Sequence, residues 1–166
     1  MASGLLVHGR DGDVRDRLRS TAGYTLVELA VVLILLGITS FISYIRLRPV
    51  LEHGKVNGAA AIMASDLQYA QMIAARQRKP VVVILTVATQ QYIIRDRANA
   101  SLVFRTRFLG AGTDYALDTM SGTATSLDVF PTGVTKTTTT FTLGLNGYTR
   151  QIRFTKAGQV RVVGGV

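Results

Sequence analysis

The chain has 166 residues, no cysteine and a formal net charge of +9. The lack of cysteine excludes disulfide bonds and thiolate metal sites, and the length allows one compact domain beside a membrane segment. The excess of cations favours an acidic partner such as nucleic acid, anionic lipid or acidic protein. Charges spread over a solvated surface are the plainer interpretation of the same balance.

A long apolar segment follows a charged N-terminal stretch. No charged residue occurs from Leu29 to Ile45. A helix over residues 24–45 would be about 33 Å long at 1.5 Å per residue, and a hydrocarbon core is about 30 Å thick. Arg46 and Arg48 follow the segment at once, so cations flank both of its ends. The simplest topology therefore crosses the membrane once and leaves the short leader in the cytoplasm.

Three interpretations of this segment are open. A secretory signal has a shorter apolar core and a small-x-small cleavage site, which residues 39–43 do not provide. A plain anchor fits the length but leaves Glu28 unexplained, because a carboxylate in a membrane segment is costly. The third interpretation is a helix that is cut after Gly23 and assembles with others. The cut would place the new amine of Tyr24 one turn from Glu28, so that in a stack of helices the carboxylate of one could neutralise the amine of the next. The helix dipole also stabilises Glu28 without a partner, and Thr25 can hydrogen-bond locally.

Helical patterning resumes after Pro49, which is expected to kink the axis. Apolar residues then recur at spacings of four and three on one face: Val56, Ala60, Met63, Leu67, Ala70 and Ala74. Asp66 is expected to lie off this stripe. Cations crowd the end of the pattern and Pro80 stops it, so one helix is predicted over residues 24–79, with residues 46–79 amphipathic.

Residues 80–166 predict a β-rich domain of about seven short strands, at 81–85, 91–95, 102–109, 126–130, 138–145, 148–155 and 159–163. Residues 112–125 are small and polar and are predicted to form a long loop. Alternation places Val103, Arg105 and Arg107 on one strand face. A helix followed by a run of strands predicts an α+β fold, a long N-terminal helix packed on an antiparallel β domain.

The N-terminal motif resembles that of the type IV pilin and pseudopilin family. The matching residues are Gly23, Tyr24, Thr25 and Glu28, followed by the apolar run. The resemblance implies that a prepilin peptidase cleaves after Gly23 and methylates Tyr24, and that Glu28 and Thr25 serve filament assembly. The Ala- and Arg-rich helix end before Pro80 and the Arg-rich hairpin at 148–162 are similar to those of the GspH/FimT group of minor pseudopilins.

This resemblance implies a non-enzymatic minor pseudopilin, a structural subunit of a type II secretion pseudopilus involved in protein export. The alternative is a FimT-like minor type IV pilin involved in pilus assembly or DNA uptake. The implied partners are other pilin subunits, the prepilin peptidase and an inner-membrane assembly platform. The implied division is a leader at 1–23, a transmembrane assembly helix at 24–45, its continuation at 46–79 and a periplasmic domain at 80–166, anchored in the bacterial inner membrane.

No catalytic constellation, cofactor motif or metal-ligand spacing is predicted. His53 is the only histidine after the leader, and a lone histidine does not make a metal site. The candidates for nucleic-acid contact are six cations: Arg105, Arg107, Arg150, Arg153, Lys156 and Arg161. Some FimT-like pilins bind DNA through Gly-Arg-x-Arg, and Gln159 replaces the first arginine of that motif here. By alternation, Arg150 and Arg153 do not share a strand face.

Overall fold

The computed structural model describes residues 24–164. One helix, α1, spans Leu26–Gln77 and precedes eight strands. The strands are β1 Val81–Thr86, β2 Gln91–Asp96, β3 Val103–Phe108, β4 Thr119–Gly122, β5 Ser126–Val129, β6 Thr139–Leu145, β7 Tyr148–Phe154 and β8 Val160–Gly164. A short 3-10 helix, Val87–Thr89, joins β1 to β2. The predicted α+β fold is confirmed, with one strand more than the sequence pattern indicated.

The chain divides into two compact units at Ser43 and Tyr44. In the N-terminal unit, every described residue from Tyr24 to Ser43 is exposed. Its apolar residues belong to the one helix, among the described residues, that is long and apolar enough to cross a membrane. A helix that is apolar all round is stable only where lipid or other apolar surfaces surround it.

In the C-terminal unit, α1 buries one face against the β domain. The six apolar residues of the predicted stripe are all buried, which confirms that pattern. Asp66 is also buried, at 1% exposure, so its predicted place off the stripe is wrong. It lies three residues after Met63 and four before Ala70, and residues at those spacings share a helix face.

The strands form two antiparallel four-stranded sheets, in the orders β3-β2-β1-β5 and β4-β6-β7-β8. Both sheets contribute side chains to a common core with α1. In β2 buried and half-buried residues alternate, as they do in a strand with one face on a core. The largest buried side chains of the sheets include Tyr92, Ile94, Leu127, Phe141, Leu143, Ile152 and Phe154.

Two details of the sheets differ from the sequence prediction. β4 lies inside the predicted loop. Its one large apolar residue is Met120, so the sequence shows no strand pattern there, and pairing with β6 holds the segment as a strand. In the pairing of β2 with β3, the register shifts between Ile94 and Arg95 of β2, so Arg105 pairs with Ile94 while Val103 pairs with Arg95. This bulge places Val103 on the face opposite Arg105, and the prediction that they share a face is wrong.

Candidate functional site

Three of the predicted processing and assembly residues, Tyr24, Thr25 and Glu28, lie at or just before the start of α1. Gly23 is outside the described residues, and Tyr24 and Thr25 directly precede the helix. The Thr25 hydroxyl oxygen accepts a hydrogen bond of 3.2 Å from the backbone N–H of Glu28. The Thr25 carbonyl accepts another of 3.1 Å from the N–H of Leu29. Thr25 is therefore the N-cap of α1, a local role that involves no other subunit.

Glu28 lies exposed in the first turn of α1, where the helix dipole favours a negative charge. Among residues 24–164, no side chain forms an ion pair or hydrogen bond with its carboxylate. The surrounding surface of the helix is apolar, and an unpaired carboxylate there is costly to remove from water. This geometry leaves the anion available to a cation from another chain.

An ionic cluster around the buried carboxylate of Asp66 joins α1 to β2 and β3, and its two arginines are partly exposed. The Tyr92 hydroxyl donates to Asp66 Oδ2 at 2.7 Å, and Arg107 Nε donates to the same oxygen at 3.0 Å. Arg105 donates to Asp66 Oδ1 and lies 4.2 Å above the ring centroid of Tyr69. Two of the six candidate cations are therefore already engaged by an acid of the same chain.

The protonation of this cluster follows from its contacts. Burial alone would raise the pKa of Asp66, but the hydrogen bonds from Arg107, Tyr92 and Arg105 outweigh it and lower that pKa below its ordinary value. Burial and the hydrogen bond to Asp66 raise the pKa of Tyr92 well above its ordinary value. The same carboxylate raises the pKa of Arg107. Asp66 is thus held as an anion, with Tyr92 as a neutral donor.

Sequence reasoning missed this cluster, although two signals for it were present. Asp66 occupies a stripe position of the helix, and Arg105 and Arg107 are two residues apart in a strand and so share a face. Neither signal identifies the partner, because the arginines follow the acid by 39 and 41 residues. Only the packing of α1 against β2 and β3 brings the three side chains together.

Arg150 is engaged by a second polar group on α1. Its Nε donates to Asn57 Oδ1 at 2.6 Å, and the Tyr148 hydroxyl donates to the same oxygen at 3.3 Å. The His53 ring stacks on Tyr148 with 3.8 Å between centroids. The lone histidine thus packs against an aromatic ring at the border of α1 and β7.

The remaining candidate cations lie on or beside the β7–β8 hairpin. Arg153 and Arg161 are directly opposite each other across the two strands, and both are exposed. Lys156 is exposed in the connecting turn. Arg153 alternates with the buried Ile152, so it lies on the face opposite Arg150, as alternation predicts. The six candidate cations therefore occupy separate places rather than one patch.

Comparison with known proteins gives a consistent result. The family described as Type II transport protein GspH matches residues 59–158. Its match begins in the buried half of α1 and ends just before β8. A comparison with curated protein sequences gives no significant match.

Two kinds of solved structure share the fold. The type IV minor pilin FimU of Pseudomonas aeruginosa is 21% identical, with a TM-score of 0.55 over 68% of this chain and 90% of that chain. The minor pseudopilin EpsH from the Type 2 Secretion System of Vibrio cholerae is 14% identical, with a TM-score of 0.54 over 66% of this chain and 97% of that chain. At these identities the likeness is one of fold.

Proposed function

Because this chain belongs to the GspH family of type II transport proteins, we propose that it is a minor pseudopilin, a structural subunit of a type II secretion pseudopilus involved in protein export. The match over residues 59–158 carries the proposal. The pilin-like fold shared with FimU and EpsH supports it, as does the helix that is apolar enough to cross a membrane. The role is structural rather than enzymatic.

Each successive segment of the chain has its own proposed role. Residues 1–23 are a leader that is removed, residues 24–45 anchor the subunit and later pack in the filament, and residues 46–79 continue the helix. Residues 80–166 form the globular domain, on the periplasmic side of the bacterial inner membrane. The partners are other pilin subunits, the prepilin peptidase and the inner-membrane assembly platform.

In this mechanism the peptidase cuts between Gly23 and Tyr24 and methylates the new amine. The amine of one subunit then neutralises Glu28 of a neighbour, which offsets the cost of removing that carboxylate from water. The apolar side chains of α1 exchange lipid contacts for contacts with other helices, so the filament core stays apolar. The Thr25 cap keeps the first turn of the helix, and with it Glu28, at a defined distance from the amine.

The processing step is tested by mass spectrometry of the protein expressed with and without a prepilin peptidase. The expected result is a peptidase-dependent mature chain that starts at N-methylated Tyr24. An intact Met1 in both samples would indicate a plain anchor. A start beyond about Ser40 would indicate ordinary secretion, and either result would contradict the proposed assembly role.

The assembly step is tested by Glu28→Ala, which is expected to abolish incorporation into filaments while the β domain stays folded. The matched control is Glu52→Ala, which removes a carboxylate bound at 3.3 Å to Arg48 and at 2.7 Å to Asn146, outside the apolar segment. Filament fractions probed by immunoblotting measure both variants. Incorporation of Glu28→Ala at the level of the unmodified chain would contradict the role proposed for Glu28.

A minor type IV pilin involved in pilus assembly or DNA uptake is the second candidate function. The observations that favour it are the fold shared with FimU and the exposed pair Arg153 and Arg161. Electrophoretic mobility of duplex DNA with the full chain in detergent tests the DNA branch. Loss of a shift in Arg153→Ala/Arg161→Ala, but not in Arg150→Ala, would support it. If the full chain shifts no DNA even at low salt, the DNA-binding function is contradicted.

A further inference from the structure

β8 is an edge strand with little protection. Among residues 24–164 it pairs with β7 alone, and it stands at the end of its sheet. Val162 and Val163 point to opposite faces and are 48% and 38% exposed. The free edge of such a strand presents backbone N–H and C=O groups that can pair with another strand.

In the described part of the chain the two sheets have four edge strands, β3, β5, β4 and β8. Of these, β3 and β8 differ in how they resist such pairing. The register between β3 and its neighbour β2 shifts where β3 faces Ile94 and Arg95. A bulge of this kind disturbs an edge and blocks the addition of a strand. β8 keeps an unbroken register with β7, from Val160 opposite Phe154 to Gly164 opposite Arg150. Its one charged residue is Arg161.

The part of the sequence that contains β7 and β8 carries positive charges and no negative side chain. Residues 129–166 contain no Asp or Glu and five cations, a formal charge of +5: Lys136, Arg150, Arg153, Lys156 and Arg161. Arg153 and Arg161 face each other across the strand pair, and like charges in that position repel. A carboxylate beside Arg161 would relieve this repulsion.

We propose that β8 accepts an extended, acidic segment of a partner protein as an added β-strand. Backbone hydrogen bonds would hold the segment, and its alternate side chains would supply specificity. On the face of Arg161 the segment would carry acidic residues, and on the face of Val162 it would carry apolar ones. This chemistry favours a peptide over nucleic acid, because valines flank Arg161 and β8 has no aromatic side chain for base stacking.

This site is distinct from the assembly role of Glu28 and can be tested separately. The probe is a short, fluorescently labelled peptide of alternating valine and glutamate, titrated against the full chain in detergent. Its counterpart has lysine in place of glutamate. The acidic peptide is expected to bind at least about tenfold more tightly than the lysine peptide. It is also expected to slow hydrogen exchange at the backbone amides of residues 160–164.

Two charge reversals with the same change in net charge locate the binding. Arg161→Glu is expected to lower the affinity for the acidic peptide by about tenfold or more and to raise the affinity for the lysine peptide. Lys79→Glu reverses an exposed cation just before β1, in the other sheet, and is expected to leave both affinities unchanged. Circular dichroism and thermal melting check that both variants are folded.

Three results would overturn the proposal. Equal weakening by the two reversals would mean that only net charge attracts the peptide. Binding without protection of the amides at 160–164 would place the peptide elsewhere. Displacement of the acidic peptide by duplex DNA, with the same dependence on Arg161, would make the hairpin a nucleic-acid surface instead.

Discussion

Two arginine pairs of this chain are both candidates for nucleic-acid contact by sequence, and their surroundings in the structure differ. Arg105 and Arg107 lie on β3 and share the buried carboxylate of Asp66. Arg153 and Arg161 face each other on β7 and β8, both exposed, in a stretch without any acid from residue 129 onward. The first pair is part of the packing between helix and sheet, whereas the second pair forms no ion pair within residues 24–164.

The difference teaches that the role of a cation on a strand depends on the side chains that pack against it. A buried carboxylate loses its hydration, and Asp66 offsets that loss with three donors from two strands. Two exposed arginines keep their hydration and are screened by salt, so they contribute little to folding. The two pairs should therefore respond very differently to substitution.

The largest effect is expected for Arg105→Ala/Arg107→Ala. This double variant leaves the buried carboxylate of Asp66 without a cation, which should lower the free energy of unfolding by about 3–5 kcal/mol. Urea denaturation of the full chain in detergent measures it. Adding Asp66→Leu should restore most of the loss, because the buried charge is then gone. A double variant as stable as the unmodified chain would show that the cluster does not stabilise the fold.

An intermediate effect is expected from pH. The pKa of Asp66 is lowered on folding, so its stabilisation is present above the unfolded value of 3.8 and is lost as pH falls through the lower folded value. Asp66→Asn should show a weaker loss of stability in acid than the unmodified chain. Thermal melting of both proteins between neutral and strongly acidic pH measures the difference. Parallel curves would contradict the assignment of Asp66 as a buried anion.

The dependence of stability on alkaline pH tests the same cluster through Tyr92. The pKa of Tyr92 is raised on folding, so its contribution is full below the unfolded value of 10.0 and is lost as pH rises toward the higher folded value. Tyr92→Phe should be less stable at neutral pH by about 1–3 kcal/mol, because Asp66 loses a donor, but it should lose less stability in alkali. An equal loss of stability at alkaline pH in both proteins would show that Tyr92 is not part of the cluster.

The smallest effect is expected for Arg153→Ala/Arg161→Ala. Removing two exposed like charges should change the free energy of unfolding by no more than about 0.5 kcal/mol, with a slight gain at low salt. The same urea experiment measures it at low and high salt. A loss of about 2 kcal/mol or more would mean that these arginines have stabilising contacts of their own, which would remove the contrast between the two pairs.

Much of the fold could be predicted from local patterns. The buried stripe of α1 and seven of the eight strands follow from periodicity, because each element shows its buried face within a few residues. β4 could not be predicted, since its four residues contain a single large apolar side chain and depend on pairing with β6. The face of Val103 was missed for a similar reason: a bulge depends on the neighbouring strand.

At the candidate site, the sequence by itself determined the apolar segment, the position of Glu28 in its first turn and the cap that Thr25 can form. These features depend on residues within one helical turn or on composition, which the chain carries locally. Only the tertiary structure decided which cations have an acidic partner among the described residues. Asp66 reaches Arg105 and Arg107 across 39 and 41 residues, and the β7–β8 register sets Arg153 against Arg161. Contacts between distant segments arise from packing, so no local pattern contains them.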